Sequence, residues 1–142
     1  MKTIKILKFS SLLLFVFLVG MTSCSKKIVF QNSSVVPAAR GKVTVDLDKN
    51  DNYQIKIYIT NLAEVERLSS PNKTYVIWMQ TDEGYYKNLG QLESSSASMS
   101  TKLKASFETV SAFKPVRILI TAEDEGSVQY PGSNLILTTN NF

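Results

Sequence analysis

Lys73-Thr74-Tyr75-Val76-Ile77-Trp78-Met79-Gln80-Thr81 holds the only tryptophan of the chain and its longest apolar run outside the N-terminus. Side chains alternate across a strand, so Tyr75, Ile77 and Met79 face one side while Val76 and Trp78 face the other. Both faces are apolar and need cover, which predicts a central strand. Trp78 is expected to be a core anchor lying between two sheets.

Working outward, the flanking segments show the same two-residue period. Residues 42–48 place Val43, Val45 and Leu47 opposite Lys42, Thr44, Asp46 and Asp48. Residues 53–60 place Tyr53, Ile55, Ile57 and Ile59 opposite Gln54, Lys56, Tyr58 and Thr60, and the polar run between them is a turn. Pairing Leu47 with Tyr53, Val45 with Ile55 and Val43 with Ile57 puts every apolar residue on one face, whereas a slip of one residue would bury lysine and aspartate. Residues 61–72, with Leu62, Val65 and Leu68 among charges and then Ser69-Ser70-Pro71, read as a loop crossing between sheets. Asp82-Glu83-Gly84 fits a three-residue turn closed by a left-handed glycine, and residues 85–92 are the return strand.

Further along, the serine-rich residues 93–100 are a loop, and Leu103, Ala105 and Phe107 alternate with lysines and serine in another half-buried strand. Pro115 opens a β-branched stretch through Ala122 that belongs inside a sheet. Residues 123–132 form an acidic loop bearing glycine and proline, and Leu135-Ile136-Leu137 is the last strand. Val35-Val36-Pro37 reads as the first strand, placed at an edge because proline cannot donate to a ladder. Seven or eight short strands without a long helix indicate an all-β, antiparallel β-sandwich.

The first 23 residues stand apart from this pattern. Lys2, Lys5 and Lys8 precede the apolar run of residues 12–19, the pattern of a secretory leader whose apolar core is too short to span a bilayer. Met21-Thr22-Ser23-Cys24 resembles a bacterial lipobox, which implies cleavage between Ser23 and Cys24 and a lipid on Cys24. Cys24 is the only cysteine, and lipidation removes the oddity of a lone thiol on an exported protein. The expected organisation is a lipoprotein signal peptide over residues 1–23, a lipidated tether over 24–34 and the sandwich over 35–142. Lys26 and Lys27 follow the lipid site where surface-exported lipoproteins of some Gram-negative groups carry acids, which points to an anchor facing the periplasm.

Composition narrows the function. With 44% apolar and 20% charged residues the chain can build a globular core. Of 16 basic residues three belong to the leader, which leaves 13 against 12 acidic ones, so no basic footprint for nucleic acid remains. Histidine is absent and the cysteine is claimed by lipid, which removes the usual Ser-His, Cys-His, zinc and haem arrangements. Asp46 and Asp48 share a solvated strand face with nothing to bury either, a poor acid-base pair. Residues 46–57 start like a calcium loop but have Asp51 where glycine is needed and Ile57 where glutamate is needed. Glu123-Asp124-Glu125 reads as a solvated bend. No catalytic residue, cofactor or metal site is expected. Tyr85 and Tyr86, together with Tyr130, are candidate contacts for a partner, forming an aromatic surface at one end of the sandwich.

Three pieces carry a family likeness: Tyr75-Val76-Ile77-Trp78-Met79, Asn88-Leu89-Gly90-Gln91-Leu92, and Ile118-Leu119-Ile120-Thr121-Ala122-Glu123 with Pro131-Gly132-Ser133 behind. In this order they resemble the extracytoplasmic C-terminal domain of the anti-sigma-K factor family. The resemblance implies an immunoglobulin-like sandwich in an envelope setting. It does not carry over sigma-factor binding, because a leader and lipid site stand where such proteins have a sigma-binding region and a membrane span. The expected function is a non-catalytic envelope lipoprotein that binds or senses a protein or small ligand. The alternative is a structural or assembly component acting through a sheet edge or end loops.

Overall fold

The computed structural model describes residues 26–69, 72–92 and 104–142. Eight strands form two antiparallel sheets of four, β1 (Lys26–Val29), β2 (Arg40–Leu47), β3 (Tyr53–Thr60) and β6 (Lys104–Ser111) in one, and β5 (Tyr86–Leu92), β4 (Thr74–Thr81), β7 (Pro115–Glu123) and β8 (Leu135–Thr138) in the other. The sheet orders are β1-β2-β3-β6 and β5-β4-β7-β8, so β3 lies beside β6 and β4 beside β7 across long connections. The result is an all-β sandwich with the crossed connections of a Greek key.

The β2–β3 hairpin has the register that its chemistry demands: Leu47 opposite Tyr53, Val45 opposite Ile55 and Val43 opposite Ile57. Val43, Ile55, Ile57 and Ile59 are buried, and they meet Tyr75, Ile77, Met79, Ile118 and Ile120 from the second sheet in one core. Its turn is held by Asp48, whose Oδ1 accepts from the N–H of Asn50 at 2.7 Å and of Asn52 at 2.9 Å. Those bonds hold the Asp48 carboxyl below the ordinary aspartate range. At the β4–β5 turn Gly84 takes φ 89°, a left-handed value that a side chain disfavours, and its N–H reaches the Thr81 carbonyl at 2.9 Å. The crossing loop buries Leu62 and Val65 under the core and contains one 3-10 turn, Val65–Arg67.

Two boundaries differ from the sequence reading. The segment expected as a tether contains β1, which pairs along β2 from Lys26 opposite Val45 to Val29 opposite Lys42. The folded domain therefore starts at least nine residues earlier than residue 35. Residues 35–37 are not a strand, because the Ser33 hydroxyl accepts the N–H groups of Val35 and Val36, and the Val36 carbonyl then accepts that of Ala39. Pro37 occupies the second position of this turn, where its fixed φ is favourable. Leu103, the serine-rich residues 93–100, and Ser23 and Cys24 lie outside the described residues.

Tyr75 is buried and its hydroxyl donates to the Ala63 carbonyl at 2.9 Å, tying β4 to the crossing loop. Burial, with the negative charge of Glu66 second, pushes its pKa up to about 12. An unfolded tyrosine ionises near about 10, so the folded state holds the proton more tightly. That stability is complete below the unfolded value and is lost as pH rises from there through the folded value. Unfolding midpoints across this alkaline range should fall more steeply for the wild type than for Tyr75→Phe, and parallel curves would refute the assignment.

Candidate functional site

The outer faces of the two sheets differ sharply. On the second sheet, Val76, Trp78 and Leu119 form a small apolar cluster separate from the main core, and Val128 covers it. Trp78 is fully buried, but it lies on the outer side of its sheet and not between the sheets. The reason is register: Trp78 pairs with Leu119, while Tyr75, Ile77 and Met79 take the inner side with Ile118 and Ile120. Residues 124–134 fold back across this face and supply the cover.

A polar chain fixes that cover in place. The indole Nε1–H of Trp78 donates to Thr121 Oγ1 at 2.8 Å, and the Thr121 hydroxyl donates in turn to Glu123 Oε1. The same carboxylate oxygen accepts the N–H of Gly132 at 2.7 Å. From β5, Asn88 Nδ2 donates to the carbonyls of Gly126 and Val128, both at 2.9 Å. Glu123, expected in a solvated acidic bend, is buried as the hinge of this arrangement. Its neighbours Asp124 and Glu125 point elsewhere and are exposed. Among the described residues no three acidic, histidine or cysteine side chains converge in a way that could hold a metal ion.

The outer face of the first sheet is left open by the described residues. Its register sets out rows of Asp46, Gln54 and Val110, then Lys27, Thr44, Lys56 and Glu108, then Val29, Lys42, Tyr58 and Ser106, then Arg40, Thr60 and Lys104. Basic residues outnumber acidic ones, with Tyr58 near the middle. Lys42 Nζ sits 5.7 Å from the Tyr58 ring centre, a cation–π spacing. Lys56 Nζ lies 3.2 Å from Glu108 Oε1, which also accepts from Gln54 Nε2 at 2.8 Å. A shallow groove of about 330 Å³ runs between Lys42, Thr44, Lys56, Tyr58, Ser106 and Glu108. The period-two pattern already put Lys42, Lys56 and Tyr58 on one side, so the sign for this face was present in the sequence but indistinguishable from an ordinary solvated surface.

The three candidate tyrosines are exposed but not gathered at one end. Tyr85 and Tyr86 lie at the β4–β5 turn, the end where Gln80 pairs with Arg117. Tyr130 belongs to the β7–β8 connection, which leaves from the opposite end, where Thr74 pairs with Glu123. The first end also holds a cleft of about 350 Å³ lined by Lys26, Asp46, Tyr53, Lys114 and Phe142 among others. Asp46 Oδ1 is buried without a hydrogen-bond partner. Asp48 is engaged in its turn, so the two aspartates do not form a carboxylate pair.

No protein-family model matches the chain, and neither the curated proteins nor the solved structures searched contain a match.

Proposed function

We propose that this chain is a lipid-anchored β-sandwich of the bacterial envelope, held through Cys24 and facing the periplasm, that binds an extracytoplasmic partner without catalysis. The partner contact is the outer face of the first sheet, and the partner is a protein presenting acidic groups. One observation carries this reading: the second sheet covers its outer face with its own loop, whereas the first presents Arg40, Lys42, Lys56 and Tyr58 to solvent on a flat surface. Flat, broad faces suit macromolecules, and Tyr and Arg are the residues that most often anchor them. The leader-like residues 1–23 and the lipobox-like Met21-Thr22-Ser23-Cys24 support a location outside the cytoplasm, and the likeness to anti-sigma-K domains contributes to the reading a fold and a setting only. Assembly by strand addition has less support, because the edge strand β6 carries Lys104 and Glu108, charges of the kind that discourage edge pairing.

A photocrosslinking residue at Thr44, in intact cells, tests the reading. It should trap one foreign protein, and Lys42→Glu with Lys56→Glu should weaken that capture by about tenfold or more, since like charges then face each other. Cys24→Ala should move the protein out of the membrane fraction. A self-ladder in place of a foreign adduct would favour assembly. Capture unchanged by the double reversal, or a Cys24→Ala protein still membrane-bound with its mobility unaltered, would sink the proposal.

A further inference from the structure

We propose that the end of the sandwich where β1 begins rests on the membrane surface, with Tyr85, Phe113 and Leu47 in the headgroup region of the lipid. This rests on the lipid-anchored reading, because Cys24 locates the bilayer. Only two residue steps separate Cys24 from Lys26, the first residue of β1, and two residues fully extended reach at most about 7 Å. No slack exists to hold the domain away from the surface. The same end carries the β2–β3 and β4–β5 turns and the loop of residues 112–114, and the last two are joined by the Asp82 N–H donating to the Lys114 carbonyl at 3.2 Å.

The exposed apolar side chains fit this placement. Leu47 is 61% exposed, Tyr85 66%, Val110 56% and Phe113 48%, and Tyr86 is exposed beside them, all at or next to this end. Tyr130, Val35 and Leu135 are exposed at the other end, but only the β1 end is tied within two residues of Cys24, so its exposed rings are the ones that can serve as anchors at a lipid interface. Lysines accompany the rings: Lys87 Nζ lies 3.8 Å from the Phe113 ring centre and Lys26 Nζ 5.5 Å from that of Phe142. The ammonium groups sit on these rings as cation–π partners, and such paired aromatic and basic side chains are the composition found at lipid interfaces. The opposite end carries Glu64, Glu66, Asp124 and Glu125, offset there by Arg40, Arg67, Lys73 and Lys104, with Arg67 Nε 2.7 Å from Glu64 Oε2, so the short link to Cys24 and not charge selects the end that meets the lipid.

Net charge is not the main attraction. Lys26, Lys27, Lys49, Lys87 and Lys114 are nearly balanced at this end by Asp48, Asp51, Asp82 and Glu83. Docking therefore depends on ring insertion and responds only weakly to salt. It also stands the strands upright, so that Tyr58, five residues above Tyr53 on β3, and Lys42 opposite it on β2 are lifted about 17 Å above that end. The basic face then looks sideways into the periplasm.

The lipidated full chain, reconstituted into vesicles of phosphatidylethanolamine and phosphatidylglycerol, tests this with spin labels at Tyr85→Cys, Phe113→Cys and, as control, Val35→Cys. The first two labels should lose most of their access to a water-soluble nickel relaxer and gain access to oxygen, at low and raised salt alike, while the control stays open. If the protein floats with the vesicles but all three labels are equally open to nickel, the anchor stands and the docking is overturned. If it does not float, the anchor fails and the docking with it. Labels open on vesicles but shielded in cells would show that a protein covers this end, which also overturns the proposal.

Discussion

Replacing Trp78 with alanine should lower stability by about 3 to 5 kcal/mol, the range for deleting a fully buried indole. Trp78 has no exposed surface, and it supports Val128 from below while its N–H holds Thr121. The variant loses that packing, leaves a void under residues 124–134, and removes the donor to a hydroxyl already committed to Glu123. The damage should be local before it is global. Amide exchange should quicken first at Gly132, bonded to Glu123, and at Ala122, bonded to the Asn134 carbonyl. The inner strand β3 should keep the slowest amides, since the main core is untouched. An unchanged denaturation midpoint, or β3 exchange rising as steeply as that of Gly132, would contradict an outer-face position.

The contrast between Trp78 and the β2–β3 hairpin shows what sequence can and cannot decide. In β2 and β3 one face is apolar and the other polar, so a single register satisfies both, and it is the one observed to the residue. In β4 both faces are apolar, and the alternation says only that each must be covered. What covers them depends on partners far along the chain: Ile55 and Ile57 for the inner face, Val128 for the outer. Glu123 was equally unreadable, since its burial comes from Thr121 and the N–H of Gly132, and only the folded loop brings the latter near. The candidate site was legible as a pattern of residues but not as an open face, because openness on the first sheet is defined by a cover that, among the described residues, only the second sheet acquires. Tyr85, Tyr86 and Tyr130 were correctly readable as exposed, yet their grouping failed because β7 carries the chain to the opposite end before Tyr130.

The start of the domain was hidden for a different reason. Lys26-Lys27-Ile28-Val29-Phe30 is too short to show a period, and its tertiary partner Thr139 is near the other end of the chain. Phe30→Ala should nevertheless cost about 3 to 5 kcal/mol, or roughly 10 to 20 °C in Tm for a domain of this size. Phe30 is 6% exposed; its N–H donates to the Gly41 carbonyl at 3.1 Å and it bridges to Thr139, while the N–H of Gln31 reaches the Thr138 carbonyl at 2.8 Å. These contacts join β1 to both sheets and close that side of the sandwich. A tether would show no loss, and Val35→Ala, at an exposed site nearby, should stay within about 0.5 kcal/mol of the wild type. Gly41 supplies the sharper check. A β-carbon there would stand 2.8 Å from Phe30 Cδ2, so Gly41→Ala alone forces the ring to move. In the Phe30→Ala background that obstacle is gone, although Ile59 Cγ1 at 3.1 Å and the Tyr58 carbonyl at 3.2 Å remain close. The cost of the alanine at Gly41 should therefore shrink by about 1 kcal/mol or more in the double variant, a coupling expected only of side chains in contact. Additive losses in the two backgrounds would mean that Phe30 does not pack on β2, and that residues 24–34 are the tether their composition first indicated.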